Sequence, residues 1–382
     1  MTETIPRWDL SNIYTGLDDP KLAADLSTLK DETLSLTKLF EEELLPVEPG
    51  KTTPEVLNEK LNRLVNLNNT ISTRAGTIGS YLYGLTSTDS FDKAAEQLQS
   101  KFQIGMLPLR NVSSRIAIWL GKLGASLPEA LALPGAAHEH AFILLEEAEQ
   151  SQYLMSEPEE ELANELSLSG GSAWGDLQGT LTSQKQVDFE IDGKVESLPL
   201  PALINLRSHP VADVRERAYY VEQATFEDMK EALAACLNGV KGEVNTLNRK
   251  RGREDSLHSS IEMSRIDRQT LDAMIGAIQE ALPMFRDYHQ AKAKHLGTEK
   301  LPWWSLFAPL GKVDKTYSFE EAKAVILTNF ASFSQELSDF ARHAFDNHWI
   351  DALQRPGKRG GAYCMGVEGV KDSRMMSNFD GS

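Results

Sequence analysis

Apolar residues recur along most of this chain at the three- and four-residue spacing of a helix, and in one short stretch they alternate instead. Thr53-Pro54-Glu55 offers a capping hydroxyl and a first-turn proline, so a helix is predicted to start there. Leu57, Leu61, Leu64 and Asn68 follow on one side of that helix, widened by Val65 and Leu67. Ser156-Glu157-Pro158-Glu159 and Ser318-Phe319-Glu320-Glu321 both carry the capping-box pattern, in which side chains and backbone satisfy one another at a helix start. Past the second box, Ile326, Phe330, Phe333, Leu337 and Phe340 keep one helical stripe over four turns, which predicts a single helix with this stripe in the core.

The exception lies at Val187, Phe189 and Ile191, which alternate with polar residues up to Asp192-Gly193, with Val195 beyond. Asp-Gly between alternating segments predicts a β-hairpin, near 187–198. Further short strands are expected near the C-terminus, after the glycines that follow Arg355-Pro356. Pro46-Val47-Glu48-Pro49-Gly50 reads as a linker between early helices. Without an internal repeat the expectation is a mainly α, irregular multi-helix fold, not a solenoid. The hairpin separates two helical regions, so a domain border is placed there, giving domains over 1–185 and 186–382.

Composition narrows the function. With 41% hydrophobic residues the chain can bury a core. Its net charge of −17, from 56 acidic and 39 basic residues, repels phosphate backbones, so no nucleic-acid partner is expected. Two cysteines, Cys236 and Cys364, cannot build a disulfide framework and suit a reducing compartment. Met1-Thr2-Glu3-Thr4-Ile5-Pro6-Arg7-Trp8 has neither the basic nor the apolar region of a secretory leader. No apolar run approaches the roughly 18 residues of a membrane span. A cytoplasmic protein without a membrane partner is expected.

The search for chemistry comes up short. The eight histidines stand at 138, 140, 209, 258, 289, 295, 343 and 348, and no two are four apart, the spacing that lets a helix present both to one zinc ion. His138 and His140 flank Glu139, but on a helix such neighbours diverge, and a solvated or capping role is expected. His343 and His348 are expected on the polar side of the helix that carries Phe330 and Phe340. Cys364 reads as a small residue packed under a strand. Pro356-Gly357-Lys358-Arg359 lacks the earlier glycine and the hydroxyl residue of a phosphate loop. Ser169-Gly170-Gly171-Ser172-Ala173-Trp174 is glycine-rich but follows no strand. Lys241, Arg249, Lys250, Arg251 and Arg253 read as a solvated helix end, with Gly252 near its cap. No complete catalytic constellation emerges, and no metal ligands.

Several segments, in order along the whole chain, resemble the oligoendopeptidase F family of zinc metallopeptidases, in the thimet oligopeptidase-like group. Arg7-Trp8-Asp9-Leu10-Ser11-Asn12-Ile13-Tyr14 resembles its opening, and Leu166-Ser167-Leu168-Ser169-Gly170 with Ala173-Trp174 and Leu177 its N-terminal-domain signature. His209-Pro210-Val211-Ala212-Asp213-Val214-Arg215-Glu216-Arg217-Ala218 resembles the helix that opens the catalytic domain. Leu301-Pro302-Trp303-Trp304-Ser305-Leu306 resembles a stretch that more often has aspartate where Ser305 stands. Gly357-Lys358-Arg359-Gly360-Gly361-Ala362-Tyr363-Cys364 and Asn378-Phe379 are the most specific matches.

The resemblance implies a mostly helical fold with a deep cleft, one zinc ion held by two histidines and a glutamate, and cleavage of short peptides. In the family a His-Glu-x-x-His helix follows this passage, so the reading is of a peptidase fragment, with its ligands beyond Ser382 and inactive by itself. The N-terminal half would be the helical oligopeptidase F-type domain, and 186–382 the first part of the catalytic domain. Carried over are the residues of the approach strand, so Gly361, Ala362, Tyr363, Cys364, Asn378 and Phe379 are the expected substrate-binding set. The tail over 360–382 is expected to be extended and unpaired. The rival reading is a non-catalytic helical protein that binds peptides or acts as a scaffold.

Overall fold

The computed structural model describes residues 5–311 and 315–381. Met1–Thr4, read above for a leader, and Ser382, the expected fragment end, lie outside the described residues. Helices dominate, joined by one hairpin and one small C-terminal sheet, as the sequence predicts.

The first body begins with α1 (Pro20–Leu39) and α2 (Pro54–Thr88). Pro54 is at the first turn of α2 and Thr53 precedes it, but the Thr53 hydroxyl serves the Glu55 carboxylate and caps no backbone N–H. Leu57, Leu61, Leu64 and Val65 are buried, while Asn68 is exposed, and the stripe continues through Ile71, Ile78 and Leu82. Against α2 pack α3 (Lys93–Gly105), α5 (Ser126–Leu131) and α6 (Ala136–Glu139), while α4 (Leu107–Lys122) and α7 (Ala141–Gln150) pack on each other beside them. Together with Ile13, Tyr14 and the buried face of α1 they enclose the larger core. His138 and His140 lie at α6, their Nδ1 atoms bonded to the carbonyls of Leu131 (2.7 Å) and Ala136 (2.9 Å).

Next come α8 (Glu157–Ser167) and α9 (Ala173–Gln184), joined by a π-turn over Leu168–Ser172. The Ser156 capping box opens α8, and the Glu159 carboxylate accepts from the Ser156 N–H at 3.1 Å. The glycines of the π-turn let the chain kink at Gly170, and the Gly171 N–H donates to Glu243. The hairpin then forms as predicted, β1 (Gln186–Ile191) pairing antiparallel with β2 (Lys194–Pro199). Asp192 (φ 51°) and Gly193 (φ 75°) turn it, as the right-handed strand twist requires. Phe189 joins a smaller core with α10 (Leu200–Asn205) and the start of α11 (Ala212–Lys250).

Lys241, Arg249 and Lys250 are exposed and Gly252 (φ 67°) follows the cap of α11, as expected, but Arg251 and Arg253 depart from the solvated end. Arg251 grips the buried Glu160 with two bonds (3.0 and 2.7 Å), and Arg253 pairs with Glu262. Both partners lie outside α11, so charge spacing within it could not reveal them.

After α12 (His258–Met263) and α13 (Arg268–His295), the stripe of Ile326 to Phe340 is split between α14 (Phe319–Phe333) and α15 (Gln335–Asp346). Ser334 breaks the helix: its backbone is extended and its hydroxyl accepts from the Leu337 N–H. The stripe is also exposed, not core, with Phe333 at 87% and Phe340 at 59%. His343 and His348 are exposed, as expected, though His348 lies past the end of α15.

The C-terminal tail is paired, contrary to the expectation of a loose extension. β3 (Ile350–Asp351), β4 (Tyr363–Val367) and β5 (Asp372–Met376) form one sheet in the order β3-β5-β4, with β5 parallel to β3 and antiparallel to β4. This sheet lies against the start of the chain. The Ala352 N–H donates to the Pro6 carbonyl at 3.0 Å, and the buried Arg374 donates to the Asp9 carbonyl (3.0 Å) and to Asn12 (2.6 Å). Val367 closes the larger core.

Candidate functional site

Where β4 and β5 leave the sheet, the chain borders a groove of about 780 Å³. Leu200, Pro201 and Ile204 of α10 and Phe226 of α11 supply an apolar wall, and Gln178 and Thr182 of α9 a polar one. The opposite side is the backbone of 359–362 and the stretch from Ser377 to Asp380. Gly361 adopts φ +81°, a conformation that costs glycine little and side-chain-bearing residues more. Nothing stands within 4 Å of where its Cβ would be, so the chain there faces open space. Arg359 lies across Gly179, where a Cβ would come within 2.9 Å of the guanidinium carbon. Its charge faces Asp176 at 3.4 Å and the Tyr83 ring at 5.6 Å.

Of the expected set, Gly361, Ala362, Asn378 and Phe379 meet at this groove. Asn378 is a clamp as well as a wall. Its amide donates to the carbonyls of Arg359 (3.0 Å) and Gly361 (2.9 Å), holding the bend between the two exits. The Phe379 ring meets Phe319 edge-on at 5.5 Å. Tyr363 points elsewhere: its hydroxyl is 2.6 Å from the Ser87 hydroxyl and its ring lies between Trp8 and Tyr83. Burial drives its phenol well above the ordinary value, so it stays neutral and anchors β4 to α2.

Cys364 is exposed, not packed under the strand, because the alternation along β4 that turns Tyr363 inward turns its neighbour outward. Cys236 is buried. A thiol reagent on the folded chain is therefore expected to modify Cys364 quickly and Cys236 only on unfolding. Mass spectrometry finding both labelled at one rate would refute that placement. Among the described residues β4 has a strand on one side only; α2 packs against it, and Ser80 of α2 bonds the Gly366 carbonyl at 3.0 Å.

A buried ionic cluster fixes the rim. Asp351 (1% exposed) receives two bonds from Arg355 (2.7 and 3.0 Å) and forms an ion pair with Lys358 (2.6 Å). Lys358, fully buried, also donates to the carbonyls of Asp351, Leu353 and Ser377. Burial alone would raise the Asp351 carboxyl, but Arg355 and Lys358 outweigh it and hold it below the ordinary carboxylate value. Neither the phosphate-loop comparison nor the family resemblance of Gly357–Cys364 points to this role of Lys358; Asp351, seven residues earlier, is the signal the sequence holds.

Zinc would need a converging donor set. Among the described residues no group of three or more His, Cys, Asp or Glu side chains could hold a metal ion, so these residues do not by themselves fit the zinc centre implied by the resemblance. Among them, too, no helix is long and apolar enough to cross a membrane.

Residues 205–381 match peptidase family M3. The chain is 24% identical over 230 residues to oligopeptidase PepF of Bacillus subtilis, covering 59% of this chain and 34% of that protein. It is 27% identical over 171 residues to the chromosomal oligoendopeptidase F of Lactococcus lactis subsp. cremoris, covering 44% of this chain and 28% of that one. The alignments thus span about a third or less of these relatives. In fold it is similar to a Bacillus anthracis chain described as an oligoendopeptidase F, with a TM-score of 0.71 at 18% identity over 93% of this chain and 61% of that structure. The family match over the C-terminal half, the partial likeness to these oligopeptidases and the shared helical architecture agree: this chain is similar to the oligoendopeptidase F proteins, and its residues 205–381 to peptidase family M3.

Proposed function

We propose that the groove beside β4 receives a short peptide in extended form, as the substrate side of a cytoplasmic, zinc-dependent oligoendopeptidase. In this reading 1–185 is the N-terminal helical domain and 186–382 the first part of the catalytic domain. The zinc ligands and the catalytic groups belong to a part of the protein outside these residues, so the 382-residue chain does not hydrolyse peptides by itself. One observation carries the reading: the extended chain that leads into the edge strand β4 runs along a groove with an apolar wall. Main-chain bonds to such an edge hold a peptide whatever its sequence, while pockets select side chains. Gly361, Ala362, Asn378 and Phe379 line the path. Cys364 projects beside it from the strand, and Tyr363 holds the strand in place.

Fluorescence anisotropy with labelled short peptides tests this. Binding is expected, with Cys364 alkylated more slowly while peptide is present. Gly361→Val, which forces a β-branched residue into positive φ, is expected to weaken binding several-fold. Equal affinity in the variant and no protection of Cys364 would overturn the groove assignment. Binding without hydrolysis in the intact protein, zinc supplied, would favour the non-catalytic peptide-binding reading.

A further inference from the structure

Arg215 on α11 and Lys292 on α13 are buried, 4% and 6% exposed, where these helices meet the turn at Trp303–Ser305. Arg215 Nη1 donates to the carbonyls of His209 (2.6 Å) and Pro210 (2.9 Å). Lys292 donates to the Leu306 carbonyl at 2.8 Å. Among the described residues no carboxylate acts on either cation; burial first, and then the charge of Arg215, pull the Lys292 ammonium down.

The remaining edge of the guanidinium is underused. Arg215 Nη2 reaches only the Ser305 hydroxyl, at 3.5 Å, and Nε has no hydrogen-bond partner. Nε and Nη2 are the adjacent pair that normally grips an anion through two parallel bonds. Ser305, itself buried, offers that edge a hydroxyl and no charge. The start of α11 is close by, since Arg215 lies in its first turn, and a helix N-terminus adds positive potential. Two buried cations and an open guanidinium edge thus meet at a helix start whose one first-turn acid, Asp213, is paired with Arg217 at 2.8 Å, and among the described residues neither cation has a carboxylate partner.

We propose that the Nε–Nη2 edge of Arg215, the Ser305 hydroxyl and Lys292 form a site for a small monovalent inorganic anion, of the size of chloride or nitrate. The burial of all three residues excludes a large ligand. The bound anion neutralises the junction of α11, α13 and the turn, and so couples the stability of this region to the anion present. The site is independent of the peptide groove.

The test is thermal unfolding at fixed ionic strength, with nitrate or chloride replacing gluconate. The wild-type chain is expected to gain about 2–4 °C, saturating with concentration. Ser305→Asp supplies its own carboxylate to Arg215 and is expected to lose this dependence, whereas Ser305→Asn, similar in size and uncharged, keeps at least part of it. A wild-type chain indifferent to the anion, or one whose response persists unchanged in Ser305→Asp, overturns the proposal. Chloride NMR line broadening by the wild-type chain, reversed by nitrate, gives a second readout that needs no variant to fold; no broadening beyond that of a chain carrying Arg215→Met counts against the site.

Discussion

Replacing Asp351 with alanine is expected to cost about 3–5 kcal/mol, the penalty for leaving buried charges unpaired. Among the described residues the carboxylate is the only anion that partners Lys358, and it also holds Arg355. Without it an ammonium with no solvent contact loses its counter-charge, and the strand ends it ties together lose their brace. Surface pairs such as Lys51–Glu48, both largely exposed, should cost about 0–1 kcal/mol when broken. Asp351→Asn keeps the shape and removes the charge, so it should resemble the alanine variant more than wild type. The urea midpoint and near-ultraviolet circular dichroism would read the effect, and a loss under 1 kcal/mol would show that the cluster relaxes freely. The pH dependence has a definite sign. Because the folded Asp351 carboxyl lies below its ordinary value, its contribution is present above about pH 4 and is lost as acid protonates it in the folded state. The Asn variant should lack that component of acid unfolding.

What could be read from the chain was what neighbouring residues decide. The start of α2, both capping boxes and the Asp192-Gly193 turn depend on a few adjacent positions, and each formed where its pattern stood. Groups whose partners are remote in sequence could not be read. Arg374 reaches Asp9 and Asn12 across most of the chain, and Arg251 reaches back to Glu160. Charge spacing alone makes both arginines look solvated. The site was half legible for the same reason. Glycines and Asn378 marked the bend, but nothing local announced that α10 and Phe226 would face it. Strand alternation was available for Tyr363 and Cys364 and would have separated them, one inward and one outward.

Periodicity also cannot say what lies opposite an apolar face, and this governs the second large effect. Val325, Ile326, Phe330, Phe333, Leu337 and Phe340 are all more than a third exposed on α14 and α15, although a helix with such a stripe ordinarily buries it. Each phenylalanine can bury about 150–250 Å², so a face carrying several exceeds the few hundred Å² that monomers usually expose. The 382-residue chain is therefore expected to associate, with light scattering giving a mass above one chain that rises with concentration. Its net charge of −17 opposes this, so added sulfate, which both screens repulsion and strengthens apolar burial, should increase the mass. Phe333→Ser with Phe340→Ser should return the chain to a monomer with little loss of thermal stability, because Phe333 is 87% exposed and Phe340, 59% exposed, only meets the buried Trp349 edge-on at 6.1 Å. A monomer at all concentrations, or a double variant that unfolds, would mean that this face is already packed in solution. Ser334 bears on the outcome: by breaking one helix into two it lets α14 and α15 pack against each other while Phe333 and Phe340 stay exposed, and a residue that favoured continuous helix there would oppose that packing.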